Sequence, residues 1–122
     1  MANRSKLVNK DIAIEVIEPE RVYVLLEVAP VYDYGPDGKP TETVIGHKHT
    51  VVNIDSFEKY VIKVAGTKPL ISAELLAEKR ENGEKVYVEF ENATIKMYWN
   101  SRLNAYADSF KADGIHFVET EE

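Results

Sequence analysis

The sequence predicts an all-β domain carrying one short helix. Most apolar residues alternate with polar ones at period two, clusters of Gly, Pro, Asn and Asp interrupt that alternation, and a single stretch is rich in helix formers. A chain of 122 residues is one domain. At this size it buries roughly two-thirds of its unfolded surface, enough for a core without covalent staples. There is no cysteine, which removes disulfide and thiolate chemistry and fits a reducing cytoplasm.

Residues 1–10 are polar and basic and read as a mobile arm. No apolar run follows them, so neither a signal peptide nor a membrane span is expected. The domain is expected over 11–119, with 120–122 as an acidic end. Ile12 to Ile17 alternates and reads as an extra strand or the start of a long first one. In Arg21 to Val31, Val22, Val24, Leu26 and Val28 fall on one face and Tyr23, Leu25 and Glu27 on the other. Tyr34-Gly35-Pro36-Asp37-Gly38-Lys39-Pro40 is a strong turn signal. Thr43 to Ile54 and Glu58 to Val64 follow as strands, the latter alternating Tyr60, Ile62 and Val64 against Lys59, Val61 and Lys63.

Gly66 and Pro69 stop that run, and Ser72 opens a helix over Ala73 to Arg80 that ends at Asn82-Gly83. Its apolar residues, Leu75 and Leu76, suit a plug at one end of a barrel. Lys85 to Phe90 is the next strand, with Val86, Val88 and Phe90 inward, continuing through Ile95 to Tyr98 after a break near Asn92. Phe110 to Val118 is the last, interrupted at Asp113-Gly114. Strand, strand, strand, helix, strand, strand is the order of a five-stranded OB-like barrel, whose usual ligand face is formed by strands 2 and 3 with the loops joining strands 1–2 and 4–5. An SH3-like barrel and an irregular β-sandwich are the rival arrangements.

The formal net charge is −6. That argues against a protein that coats duplex DNA through bulk positive charge. Single-strand binding needs only a local basic groove and aromatic platforms. The segment Lys96-Met97-Tyr98-Trp99-Asn100-Ser101-Arg102-Leu103-Asn104-Ala105-Tyr106 gathers both, in the place of the strand 4–5 loop. Tyr98, Trp99 and Tyr106 are its candidate stacking residues, Lys96 and Arg102 its phosphate contacts, and Asn100 and Asn104 either contact bases or shape the turn. Tyr32, Tyr34 and Lys39 mark the first loop, with Tyr34 opposing the other aromatics. On the strands, Lys48, Lys59 and Lys63 line one surface if Lys48 joins the other two. The plainer reading of each set is a tyrosine-covered turn, solvated lysines and a hairpin packed into the core.

His47-x-His49 puts two imidazoles on one face, but only His116 and scattered carboxylates remain as further ligands, without metal-site spacing. There is no Walker loop, nucleophile elbow or cysteine–histidine pair. No catalytic residue, metal or cofactor is expected.

Three segments carry a family resemblance: Gly38-Lys39-Pro40-Thr41-Glu42-Thr43-Val44-Ile45-Gly46-His47-Lys48, Asn82-Gly83-Glu84-Lys85-Val86-Tyr87-Val88-Glu89-Phe90 and Phe110-Lys111-Ala112-Asp113-Gly114-Ile115. On these the chain resembles the small domain-of-unknown-function proteins of Gram-positive integrative conjugative elements and conjugative transposons, including the helicase processivity factor type. The resemblance implies an OB-like barrel and a cytoplasmic accessory factor of DNA processing, acting on single strands near a relaxase and helicase. Single-stranded DNA is thus the expected partner, with no membrane. The alternative is a protein–protein module of a plasmid, phage or conjugative element, anchored by the aromatic loop. A third reading, an acidic nucleic-acid mimic directed against host defence, is favoured by the charge and opposed by the basic aromatic loop. Nothing in the sequence specifies an oligomeric state.

Overall fold

In the computed structural model, which describes residues 8–118, the alternating stretches become β1 (Asp11–Ala13), β2 (Tyr23–Tyr34), β3 (Pro40–Asn53), β4 (Lys59–Ala65), β5 (Tyr87–Glu91), β6 (Thr94–Asn100), β7 (Ala105–Ala112) and β8 (Gly114–Phe117). One α-helix, α1 (Ala73–Glu81), lies between β4 and β5. The strands form one sheet in the order β1-β6-β7-β4-β3-β2-β5-β8, curled into a half-barrel. Among the described residues the fold is therefore all-β with one α-helix, but the strands number eight rather than the expected five. The added count has two sources. Ile12 to Ile17 becomes the short β1 and a single 3-10 turn, Ile14–Val16, that buries Ile14. The two final strands are each broken near their middle, at Asn92-Ala93 and at Asp113. At that break Asn92 takes a φ of 50°, and its Nδ2 donates to Asp113 Oδ2 at 3.0 Å.

Neighbouring strands pair antiparallel, except β4 and β7, which run parallel through Ile62↔Phe110, Lys63↔Lys111 and Val64↔Ala112. The β5·β8 and β6·β7 pairings share one register, since Glu91↔Gly114 and Thr94↔Lys111 advance equally on both sides of the break. Inward residues of β2 to β5, among them Tyr23, Leu25, Val51, Ile62 and Val88, make the core, with Tyr60, Phe90 and Phe110 packed against it. Tyr23 meets Phe90 and Tyr60 edge to face, at 5.7 and 6.2 Å between ring centres. Such pairs stabilise beyond their buried area.

The faces of β2 differ from the period-two expectation. The register slips between Leu25 and Glu27, where Leu26 is the extra residue of a bulge. Tyr23, Leu25 and Val28 are therefore buried, and Val24 and Leu26 face outward. The strand also runs on to Tyr34, because the turn that follows is tight: Gly35 N–H donates to the Lys39 carbonyl and Gly38 N–H to that of Gly35.

Helix α1 begins at Ser72, whose Oγ accepts from Leu75 N–H at 3.2 Å. Lys79 and Arg80 sit in its last turn, where the helix dipole favours cations, and Gly83 leaves at φ +77°. Leu76 is buried in the core, while Leu75 stays exposed.

A polar clamp secures the segment ahead of β2. The buried Asn53 donates to the Glu20 carbonyl and accepts from the N–H groups of Asp55 and Ser56. The buried Glu18 carboxylate accepts from the Ser56 hydroxyl and, at 2.7 Å, from Tyr60 Oη. Burial, reinforced by that bond, makes the Tyr60 hydroxyl far less acidic than an ordinary phenol.

The arm expected over residues 1–10 needs a correction at its end. Asn9 N–H donates to the Met97 carbonyl at 2.8 Å and Val8 bridges Met97. Residues 1–7 and 119–122, including the expected acidic end, lie outside the described residues.

Gly46 faces the β4 backbone so closely that a Cβ there would lie 2.8 Å from the Val64 carbonyl oxygen. Neither backbone yields without breaking ladder bonds. Gly46→Ala is expected to destabilise the fold by about 1–3 kcal/mol, read as a lower urea midpoint. An unchanged midpoint would mean that β3 and β4 are not held this tightly.

Candidate nucleic-acid interface

Register decides which side chains share a surface. Lys48 on β3 stands directly opposite Lys63 on β4, and Lys63 stands beside Lys111 on β7. All three are exposed. The sheet thus carries a row of three cations across adjacent strands, each step about 4.8 Å. Like charges directly opposite one another are unfavourable in a sheet unless an anion lies over them. Lys59 lies farther along the same side of β4, paired with Val52, off the end of the row.

The row continues toward β6. Thr94, Lys96, Tyr98 and Asn100 alternate on one face of β6, and Thr94 pairs with Lys111. Asp11 on β1 pairs with Lys96 and reaches two ammonium groups, Lys96 Nζ at 3.7 Å and Lys111 Nζ at 3.6 Å. A carboxylate thus sits between two lysines on this face. Exposed pairs of this kind contribute little to stability, about 0–1 kcal/mol.

The final hairpin separates residues that the sequence grouped together. Trp99 pairs with Tyr106 across β6 and β7, with rings edge to face at 5.2 Å. They are 51% and 52% exposed and lie on the side opposite Lys96 and Tyr98. Arg102 sits in the turn between the strands, whose shape is set by Asn100: its Oδ1 accepts from Arg102 and Leu103 N–H. Asn104 completes the turn at φ 50°. Both asparagines are thus turn residues. Tyr34 is on the separate β2–β3 hairpin, exposed and paired with Pro40; Tyr32, also exposed, pairs with Val44 on the same hairpin. Lys48, Lys59, Lys63, Lys96 and Tyr98 are therefore brought onto one face, with Lys59 off the end of the row, whereas Tyr34, Trp99, Arg102 and Tyr106 lie elsewhere.

Lys111 and Asp11 were not singled out in the sequence. Alternation around Phe110 puts Lys111 outward, but only the parallel β4·β7 pairing places it beside Lys63.

His47 and His49 both point into the sheet, buried behind Lys48. His49 Nδ1 donates to the Ile62 carbonyl at 3.2 Å, and its Nε2 is buried without a partner. Among the described residues no group of three His, Cys, Asp or Glu is placed to hold a metal ion. No helix among them is long and apolar enough to cross a membrane. No family model, curated protein or solved structure matches the chain.

Burial lowers the His49 pKa below its ordinary value of 6.5, the hydrogen bond to the Ile62 carbonyl opposes this in part, and His47 adds to the lowering. The unfolded chain then binds a proton that the folded one refuses. The neutral ring's contribution is full above pH 6.5 and is lost as the pH falls through that value toward the depressed one. Unfolding free energy is expected to drop between about pH 7.5 and 5, and His49→Leu to flatten that slope. A slope unchanged in the variant would assign the effect to other groups.

Proposed function

We propose that the chain binds single-stranded nucleic acid, with little sequence preference, along the outer face of β3, β4, β7 and β6. The observation that carries this reading is the Lys48–Lys63–Lys111 row, standing in a chain of net charge −6. Cations concentrated on one face of an acidic protein meet an external anion. A row crossing strands suits successive phosphates of one strand, whereas a single phosphate needs only one or two of them. Tyr98, beyond Lys96 on the same face, serves as the platform for a base.

The strand pairings support an OB-like reading of the architecture. Because β5–β6 and β7–β8 keep one register, each pair acts as a single bent strand. With β4·β7 parallel and β2·β5 antiparallel, the circuit has OB-type connectivity, and β1 is an addition. The lysine row then falls on the usual ligand side of that fold, strands 2 and 3. Together with the family resemblance, this favours a non-catalytic, cytoplasmic accessory role in DNA processing by a mobile element, without a cofactor. A helicase or relaxase would be the protein it assists.

A second reading, a protein–protein module, is favoured by one specific feature. Trp99, Leu103 and Tyr106 are exposed at one hairpin end, with Trp99 and Tyr106 on the side away from the lysines. Trp and Tyr are preferred interface anchors. The two faces of the hairpin allow both contacts at once.

Fluorescent oligo-dT anisotropy across a salt series tests the first reading. Lys63→Ala is expected to weaken binding and to flatten the slope of log affinity against log salt by about 0.7. Asp11→Asn, which removes the competing carboxylate, is expected to tighten binding about two- to fivefold. Salt-insensitive binding, or affinity unmoved by both changes, would reject the lysine face.

The aromatics are distinguished in the same assay. Tyr98→Ala is expected to cost about 1–3 kcal/mol of binding, the worth of one stacked base. Trp99→Ala is expected to leave oligonucleotide affinity nearly unchanged. The reverse result would move the strand to the other side of the hairpin.

A further inference from the structure

The proposed nucleic-acid face leaves a different part of the surface unexplained. Between α1 and β5 lies an open trough of about 640 Å³, walled by Leu75, Val86, Tyr87 and Phe117 with Lys79 and Lys85 on its rim. A second hollow of about 450 Å³ adjoins it, lined by Val24, Ile54 and Phe57 among others, and shares Lys85 and Tyr87 with the first. Phe57 is 78% exposed and Phe117 49%. Leu26, the extra residue of the β2 bulge, lines the second hollow beside Val24 and extends this apolar lining. Two apolar hollows that share a wall, with large aromatic side chains exposed beside them, are the kind of surface that marks an interaction site.

The charges name the occupant. Among the described residues, the only charged side chains lining either hollow are Lys79 and Lys85, although the chain holds 21 acidic residues against 15 basic ones. Among the described residues neither lysine is in an ion pair. Two copies meeting on this surface would set these lysines against each other. A nucleic-acid strand would find apolar walls without a phosphate track. A segment carrying bulky apolar side chains beside carboxylates satisfies both the walls and the rim.

We propose that this trough is a docking site for a peptide segment of a partner protein that carries bulky apolar residues flanked by Asp or Glu. The apolar side chains fill the hollows on either side of Tyr87, and the carboxylates pair with Lys79 and Lys85. The site is independent of the lysine row and stands whether or not that row binds nucleic acid.

A random dodecapeptide library displayed on phage and panned against the immobilised full chain tests this. Enriched sequences are expected to combine Leu, Ile, Phe or Trp with Asp or Glu. The leading peptide, synthesised with a fluorescein label, is expected to lose about tenfold in affinity on Lys85→Glu and on Phe117→Ser, and none on Lys63→Ala. Lys85 is exposed, so its reversal keeps the test valid should Phe117→Ser fail to fold. No enrichment, enrichment of basic peptides, or full affinity in Lys85→Glu would overturn the proposal. So would a concentration-dependent dimer abolished by Phe117→Ser, which would assign the trough to a second copy.

Discussion

β4 and β7 pair in parallel over Ile62↔Phe110, Lys63↔Lys111 and Val64↔Ala112, and that short ladder fixes two things at once. On the inner side it brings Phe110 and Ala112 against the buried Ile62, with Tyr60 and Phe110 in contact at 5.0 Å between rings. On the outer side it sets Lys111 beside Lys63. Because side chains alternate with period two, a slip of one residue would exchange these faces, burying lysines and exposing the core. Burying an unpaired ammonium costs several kcal/mol. The core therefore enforces the cation row, and the row needs no device of its own to hold its spacing.

The same geometry reconciles an acidic protein with an anionic ligand. Charges farther from the row than a Debye length, about 8 Å at physiological salt, are largely screened from a strand lying on it. What a phosphate meets on that face is Lys48, Lys63 and Lys111, flanked by two carboxylates: Asp11 at the β6 side and Glu27 on β2, opposite Thr50 and diagonal to Lys48. Asp11 is held there by β1, which pairs with β6, and β1 follows directly on Val8 and Asn9, pinned to Met97. In the proposed reading the added strand β1 thus carries the site's own competitor.

Much of the architecture was legible because alternation reports burial directly. Ile62, Val86 and Val88 are inward as the pattern requires, and Ser72 caps the helix that its neighbours favour. Two kinds of feature escaped. The bulge at Leu26 inserts one residue, so alternation read straight through Val22 to Val28 put Val28 on the face of Val24 and Leu26, whereas it is buried with Tyr23 and Leu25, and no glycine marks the place. The partnership of Lys63 with Lys111 joins strands far apart in the chain, and local pattern carries no information about such pairing. The aromatic loop shows the opposite error. Nearness in sequence made Tyr98 and Trp99 look like one platform, yet adjacent residues of a strand point to opposite faces.

That last point bears on how one small domain serves more than one contact. A helix offers a continuous gradient of faces, whereas a strand offers two, separated by the thickness of the sheet. The β6–β7 hairpin has Lys96 and Tyr98 on one of them and Trp99 with Tyr106 on the other. A ligand on the first face makes no demand on the second, so substitutions on one side leave the chemistry of the other intact. The trough by α1 lies along the β2–β5 part of the sheet, away from the β6–β7 hairpin. Its lysines face apolar walls, whereas those of the row face one another, and this difference in surroundings directs one surface toward an apolar acidic peptide and the other toward a phosphate chain.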